Sequence, residues 1–246
     1  MNQVIQQLKE RKSVRVFTDS AIEQEKVAAI LEAAVNAPTA GNQQFYTIIH
    51  VTDPALKEQL AESCDHQPFI AKAPLVLVFC ADCRKWYNAF QAYGCEPRKP
   101  GVGDLLLAVS DTNIAAQNAV VAAQSLGIGS CYIGDIMENA EQHRQLLSLP
   151  PYVFPAAMLV FGYPEAKQLE RQKPPRSEMR HIVHENGYWD MDAGELKQML
   201  SVKAGVRSFE EWLHAFCNRK YNSDFSREMT RSVQVYLDDY KETNCE

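Results

Sequence analysis

Apolar residues recur with helical spacing at Val4, Ile5 and Leu8, which predicts a helix over residues 2–10. Ser20, followed three positions later by Glu23, reads as a capping box. The helix it opens runs to about Asn36, with Val27, Ile30, Leu31 and Ala34 on one Ala-rich face suited to close packing. Pro38, Gly41 and Asn42 supply the turn chemistry that stops it. A strand at Tyr46 to Val51, a helix opening at Asp53 and Pro54, and a continuous apolar strand from Leu75 to Cys80 follow. Residues 86–103 mix Gly, Pro and charge, which predicts an irregular surface excursion.

From Asp104 to Leu126 the chain is apolar nearly all round. Asp111, Asn113, Gln117, Asn118 and Gln124 interrupt that stretch too often for a membrane span, so it reads as a core or subunit-interface helix. Gly127 and Gly129 end it. A short strand over Ser130 to Ile133, a helix over 138–147 and a strand over 156–161 come next. Residues 162–175 are polar and Pro-punctuated. After Tyr188 the tail turns helical in at least two pieces, around 192–203 and 224–240.

A chain of 246 residues can form one large α/β or α+β domain with a helical extension. Its net charge of −6 argues against nucleic acid or an anionic membrane as the main partner, so any cationic site is local. No apolar stretch follows Met1, Asn2 and Gln3, which predicts a cytoplasmic protein. Seven cysteines without framework spacing predict free thiols. Cys80 and Cys83 end a strand instead of opening a helix, which disfavours a thioredoxin motif. His181 and His184 lack partners at metal-ligand spacing, and no metal is expected.

The usual catalytic signatures are missing. Gly101 and Gly103 lack a preceding strand and a third glycine, Gly127 and Gly129 precede a strand, and no P-loop, serine-hydrolase elbow or zincin helix occurs. What stands out is the run Arg11, Lys12, Ser13, Val14, Arg15. If it is extended, Arg11, Ser13 and Arg15 share one face and span roughly 13 Å at about 3.3 Å per residue. Two guanidiniums and a hydroxyl can grip an anion such as a phosphate by forked hydrogen bonds. The same run also reads as a solvated basic loop.

Residues 11–17, Arg-Lys-Ser-Val-Arg-Val-Phe, with residues 37–44, Ala-Pro-Thr-Ala-Gly-Asn-Gln-Gln, resemble the two N-terminal signatures of the FMN-dependent nitroreductase family. Gln67, the 104–126 helix, Tyr132-Ile133-Gly134, and Lys173-Pro174-Pro175-Arg176 with residues 182–186 extend the resemblance over essentially the whole chain. Length and tail look most like the NADPH-dependent flavin and nitro reductase branch. The resemblance implies an α+β fold with a mainly antiparallel central sheet flanked by helices, and a long buried interface helix in an intertwined homodimer. It also implies an FMN-binding domain over 1–190 and a helical extension over 191–246, packed on the same fold or on the partner.

The resemblance further implies a reaction: ping-pong hydride transfer from NADPH to nitroaromatics, quinones or free flavin. It assigns the FMN phosphate to Arg11 and Ser13, joined by Lys173 and Arg176, and the pyrimidine edge of the ring to Arg15. Lys12 lies in the same signature. Thr39, Gly41 and Asn42 approach the ring or ribityl chain, Gln67 the pyrimidine side, and Tyr132, Ile133 and Gly134 the other ring face. Arg219 and Lys220 are its candidates for the NADPH 2′-phosphate. Three departures stand out: Gln44-Phe45-Tyr46 replaces Gln-Pro-Trp, Asp135 replaces glycine, and Lys173 and Arg176 are one residue further apart than usual, so that Arg171 could substitute for either. The rivals are a flavin reductase supplying reduced FMN and a non-catalytic FMN-binding redox sensor using Cys80 and Cys83.

Overall fold

The computed structural model describes residues 2–241; Met1 and Cys245 lie outside them. The chain folds into two compact units, one running to Arg171 and resuming at Glu228, the other spanning Gln172 to Arg227.

The first unit holds α1 (Gln3–Glu10), α2 (Gln24–Val35), β1 (Tyr46–Val51), α3 (Pro54–Ser63), α4 (Phe69–Lys72), β2 (Leu75–Asp82) and α5 (Arg84–Ala92). It continues with α6 (Val102–Ser125), β3 (Gly129–Ile133), α7 (Ala140–Leu147), β4 (Val153–Gly162) and α8 (Ala166–Glu170). The second unit contains α9 (Ala193–Ser201) and α10 (Phe209–Lys220). The last helix, α11 (Asp224–Asp238), starts in the second unit and from Glu228 belongs to the first.

The four strands form one antiparallel sheet in the order β1-β2-β4-β3, with Tyr46 opposite Ala81, Leu75 opposite Phe161 and Gly129 opposite Gly162. β2 and β4 are buried along their whole length, which explains the continuous apolar runs: a sheet covered on both faces has no reason to alternate. Leu75, Leu77 and Phe79 feed the core shared with α2 and α6, while Val76, Val78 and Cys80 feed the core on the other face. The register slips between Phe79 and Cys80, where Ala156 bulges from β4. Ala115, Ala116, Ala119 and Ala123 give α6 a thin face that lies close on α2 and the sheet. The length and apolarity of α6 would suffice for a membrane span, but this buried face makes it a core helix.

Two expectations fail locally. Ser20 caps nothing: α2 starts at Gln24 with Glu23 as its N-cap residue, and the Glu23 carboxylate instead accepts from Tyr163 Oη at 2.5 Å and Lys26 Nζ at 3.1 Å. The excursion after Cys83 begins as a regular helix, α5, because its breakers Gly94, Pro97 and Pro100 all lie beyond Ala92. Within the second unit, α10 is a further helix, closed at its start by Ser208 and carrying a ladder of Phe209, Trp212 and Phe216. There Lys197 of α9 pairs with Glu210 at 2.7 Å and lies over the Phe209 ring.

Candidate functional site

The basic run is held extended by the edge of the sheet. Val14 donates its N–H to Ser130 O at 2.9 Å, Ser13 makes a parallel bridge to Ser130, and Phe17 bridges Pro164, so residues 13–17 dock along β3 and the end of β4. Two glycines make that approach possible. A Cβ on Gly129 would sit 2.6 Å from Val14 Cγ2, and one on Gly162 would sit 2.7 Å from the Phe17 ring. With Val14 turned into the protein, Ser13 and Arg15 fall on the opposite face, as alternation requires.

That face gathers around one thiol. Cys131 is raised by its burial and drawn back down by the charge of Arg15, by hydrogen bonds to Ser13 and Arg15, and by the charge of Arg11. Arg11 lies in a crevice between α1 and α6 walled by Leu8, Gln117 and Val120. Its Nε and Nη2 are buried and have no hydrogen-bond partner. Unsatisfied buried N–H groups on a guanidinium are costly, and a partner that reached them would offset that cost.

Lys12 has a different part. Its ammonium donates to Leu169 O at 2.6 Å and to Arg171 O, capping the C-terminal end of α8. It is therefore spent on structure, not on the ligand face. Arg171 returns the contact, donating Nη2 to Ser13 O at 2.7 Å, and so joins the basic cluster.

The turn after α2 is shaped by strain and by a carboxylate. Gly41, Asn42 and Gln44 have φ of 55°, 57° and 48°. Left-handed backbone costs roughly 1–3 kcal/mol at a non-glycine residue and persists only where the surroundings enforce it. Asp111 of α6, 3% exposed, does so: it accepts from the Thr39 hydroxyl and from Ala40 N at 3.0 Å. Thr39 Oγ1 accepts in turn from Gln44 N at 2.8 Å, and Trp86 Nε1 donates to Gln43 O at 2.6 Å. Sequence reasoning used Asp111 only to exclude a membrane span. Its signal was present, since it is the one acidic residue inside the apolar 105–126 stretch.

A third set of residues lies where β3 ends. Ile133 is 2% exposed and points into the core, whereas a Cβ on Gly134 would meet nothing within 4 Å, leaving open space beside the chain. Burial pushes the Tyr132 phenol up to about 12, and its hydroxyl donates to Gln117 Oε1 at 3.3 Å. Gln67 is placed by the left-handed pair Asp65 and His66 after α3, and its Nε2 donates to Cys64 O at 2.7 Å. Close by, Glu138 is 6% exposed with Oε1 unpartnered. Burial first, then Asp135, Asp65 and Glu228, push its carboxyl up to about 7. The neighbouring His143 is fully buried between Ser63 Oγ at 2.8 Å and Ile136 O at 3.0 Å.

Residues 8–163, well over half of the chain, match the nitroreductase family model. The chain belongs to the nitroreductase family. It is 31% identical over 241 residues to an FMN reductase [NAD(P)H] of Bacillus subtilis, covering 97% of this chain and 92% of that one. It is 36% identical over 193 residues to an oxygen-insensitive NADPH nitroreductase of Salmonella typhimurium, covering 78% and 77%. Among solved structures it resembles the NfrA1 nitroreductase of B. subtilis, with a TM-score of 0.77 at 27% identity over 97% of this chain and 96% of that one.

One long helix carries two of the three clusters. The turn packs on Asp111 and the basic run on Gln117 and Val120, separated by roughly 9 Å at 1.5 Å per residue. Lys173 and Arg176 belong to the second unit, where Arg176 Nη1 lies 3.5 Å from Pro174 O. Arg219 and Lys220 end α10, lying over the rings of Phe216 and Phe225. Cys80 and Cys83 are 0% and 3% exposed, and burial pushes both thiols up to about 12. Among the described residues, no group of three or more His, Cys, Asp or Glu could hold a metal ion.

Proposed function

We propose that this protein is an FMN-dependent NADPH oxidoreductase acting on small electron acceptors such as nitroaromatics, quinones or free flavin. The observation that carries the reading is the basic run docked extended on the sheet edge, Arg11, Ser13 and Arg15 with Arg171 donating to Ser13 O, in which Arg11 Nε and Nη2 have no hydrogen-bond partner. A phosphate monoester carries about −1.5 to −2 charge near neutral pH and calls for several such donors. Bound FMN supplies the hydride chemistry, which is why no side-chain nucleophile and base need be present.

The chain's part is to bind and orient. Arg11 and Ser13 take the phosphate, and Arg15 lies where it can stabilise negative charge on the pyrimidine edge. The turn offers backbone and Asn42, since the Thr39 hydroxyl is committed to Asp111. Gln67 serves the pyrimidine side, and Tyr132 with the backbone of Ile133 and Gly134 the ring face. The family resemblance adds Lys173 and Arg176 for the phosphate, and Arg219 and Lys220 for the NADPH 2′-phosphate.

The same reading includes a homodimer in the cytoplasm. Val4, Ile5 and Leu8 of α1 and Leu106, Leu107 and Ile114 of α6 are 40–63% exposed, on two helices that pack together. An apolar surface of that kind calls for a second copy. A flavin reductase that releases reduced FMN would use the same residues, and the matched B. subtilis FMN reductase favours keeping it in view. A thiol-based sensor is disfavoured by the buried, raised thiols of Cys80 and Cys83.

The absorbance spectrum of the purified protein, followed by anaerobic titration with NADPH, tests the reading. Flavin bands that bleach on titration are expected. Protein that takes up no FMN on reconstitution would sink it. Rates with nitrofurazone and with free FMN then decide between the two enzymes.

A further inference from the structure

Behind the Thr39–Gln44 turn lies a cavity of about 290 Å³ that the proposed chemistry does not use. Its walls are aromatic: Phe45 after the turn, and Trp86, Tyr87 and Phe90 from α5. Trp86 and Phe90 are in contact with each other, their ring centroids 5.6 Å apart at an interplanar angle of 40°, and together form one aromatic wall against which a guest ring can pack. The size is close to the lower end of ligand pockets, about 300 Å³, and suits one or two fused rings.

Polar groups at the cavity are already matched to one another. The Trp86 indole N–H is taken by Gln43 O at 2.6 Å. Arg98 and Asp104 form a two-pronged ion pair at 2.5 and 3.0 Å, and Asp104 also accepts from Gly101 N at 2.8 Å. These contacts hold the Asp104 carboxyl below its ordinary range, so the pair is not waiting for an external ion. What the cavity presents to a guest is ring surface, which selects neutral planar molecules over anions.

We propose that this cavity is a second binding site, for neutral planar aromatic molecules of one or two fused rings, coupled to the turn through Trp86. The coupling follows from geometry. A ring packed against Trp86 and Phe90 touches the side chain that holds Gln43, which lies between the left-handed residues Asn42 and Gln44. Filling the cavity limits the motion of that indole and so of the turn. The site goes beyond the oxidoreductase reading and stands whether or not flavin binds.

The test uses 2-naphthol, which is neutral at pH 7. Replacing Trp189 and Trp212 by Phe leaves Trp86 as the sole tryptophan, since the chain has three. Titration of the flavin-loaded protein should give a saturable change in Trp86 emission. Phe90 is 38% exposed, so Phe90→Ala should fold, and it should weaken the Trp86 response at least tenfold while leaving any change in the flavin spectrum as it was. Should that variant lose its circular dichroism, Phe90→Leu keeps the volume without the ring and should weaken the response at least threefold. Hydrogen exchange of the Gln44 amide, bonded to Thr39 Oγ1, should slow at least threefold with the ligand bound. Absence of a saturable Trp86 change, or affinity unaffected by the Phe90 variants, would overturn the site. An unchanged Gln44 exchange rate would overturn the coupling. Flavin-free protein should respond alike, so failure of the flavin assignment is distinguishable from failure of this one.

Discussion

Glu138→Gln should stabilise this protein at pH 8 and leave it nearly unchanged at pH 5. In the unfolded chain the carboxyl titrates near 4.5, whereas in the fold burial and the facing carboxylates Asp135, Asp65 and Glu228 push it up to about 7. The folded state thus keeps a proton that the unfolded state releases between these values. Stability from this residue falls as pH rises from about 4.5 and levels off above 7. At about 1.36 kcal/mol per pH unit the full loss is roughly 3 kcal/mol, and relaxation around a buried charge leaves about 1–3 kcal/mol for a variant to recover. Glutamine keeps the shape and removes the titration. His143, lowered by burial, works in the opposite direction by losing stability as pH falls, but it is present in both proteins and cancels in the difference. Urea denaturation of both proteins at pH 5, 6, 7 and 8 measures the gap directly. If the gap is the same at pH 5 and pH 8, Glu138 does not carry a raised pKa and the electrostatic reasoning about this cluster is wrong.

Gly129→Ala should destabilise the protein by about 1–3 kcal/mol and weaken retention of FMN, because its Cβ would collide with Val14 and push the basic strand off β3; thermal melts and flavin content after dialysis check both. Asp111→Ala should cost about 2–4 kcal/mol, since it strips hydrogen bonds from Thr39 and Ala40 and releases a turn held in left-handed backbone, and the loss should appear in chemical denaturation of the flavin-free protein. A result within 0.5 kcal/mol of the parent would show that the turn holds itself. Arg11→Met should separate stability from binding: the flavin-free protein should be equally or more stable because the unsatisfied N–H groups on Nε and Nη2 are gone, while FMN affinity should fall by about 1.5–3 kcal/mol, read by fluorescence titration. A variant that loses stability and keeps its affinity would refute the phosphate role.

The layers of the fold were legible because β2 and β4 are buried along their whole length and α6 carries a continuous buried Ala-rich face, and their apolar sequences say so. β1 was readable to the residue. Elements on the surface were not. α5 buries none of its residues fully, and the following Gly94, Pro97 and Pro100 dominate the composition of its window. Ser20 and Glu23 fit the capping pattern, but Tyr163, 140 positions away, competes for the glutamate, and no local rule registers a partner that distant.

At the site, the alternation of Arg11, Ser13 and Arg15 was visible in the sequence, and so was Lys12 on the other side, but the use of each was not. Lys12 and Arg11 are neighbours of the same charge, yet one caps α8 through carbonyls 157 and more positions away and the other is buried with its donors unspent. Which cation is available to a ligand depends on what the rest of the chain brings to it. Asp111 makes the same point from the acidic side: in the sequence it is a blemish on an apolar helix, and in the fold its carboxylate is what makes a turn with three left-handed residues tenable. A flavin enzyme needs no reactive side chain, so its chain is recognisable by unspent donors and enforced backbone, and both become visible only when distant segments are placed together.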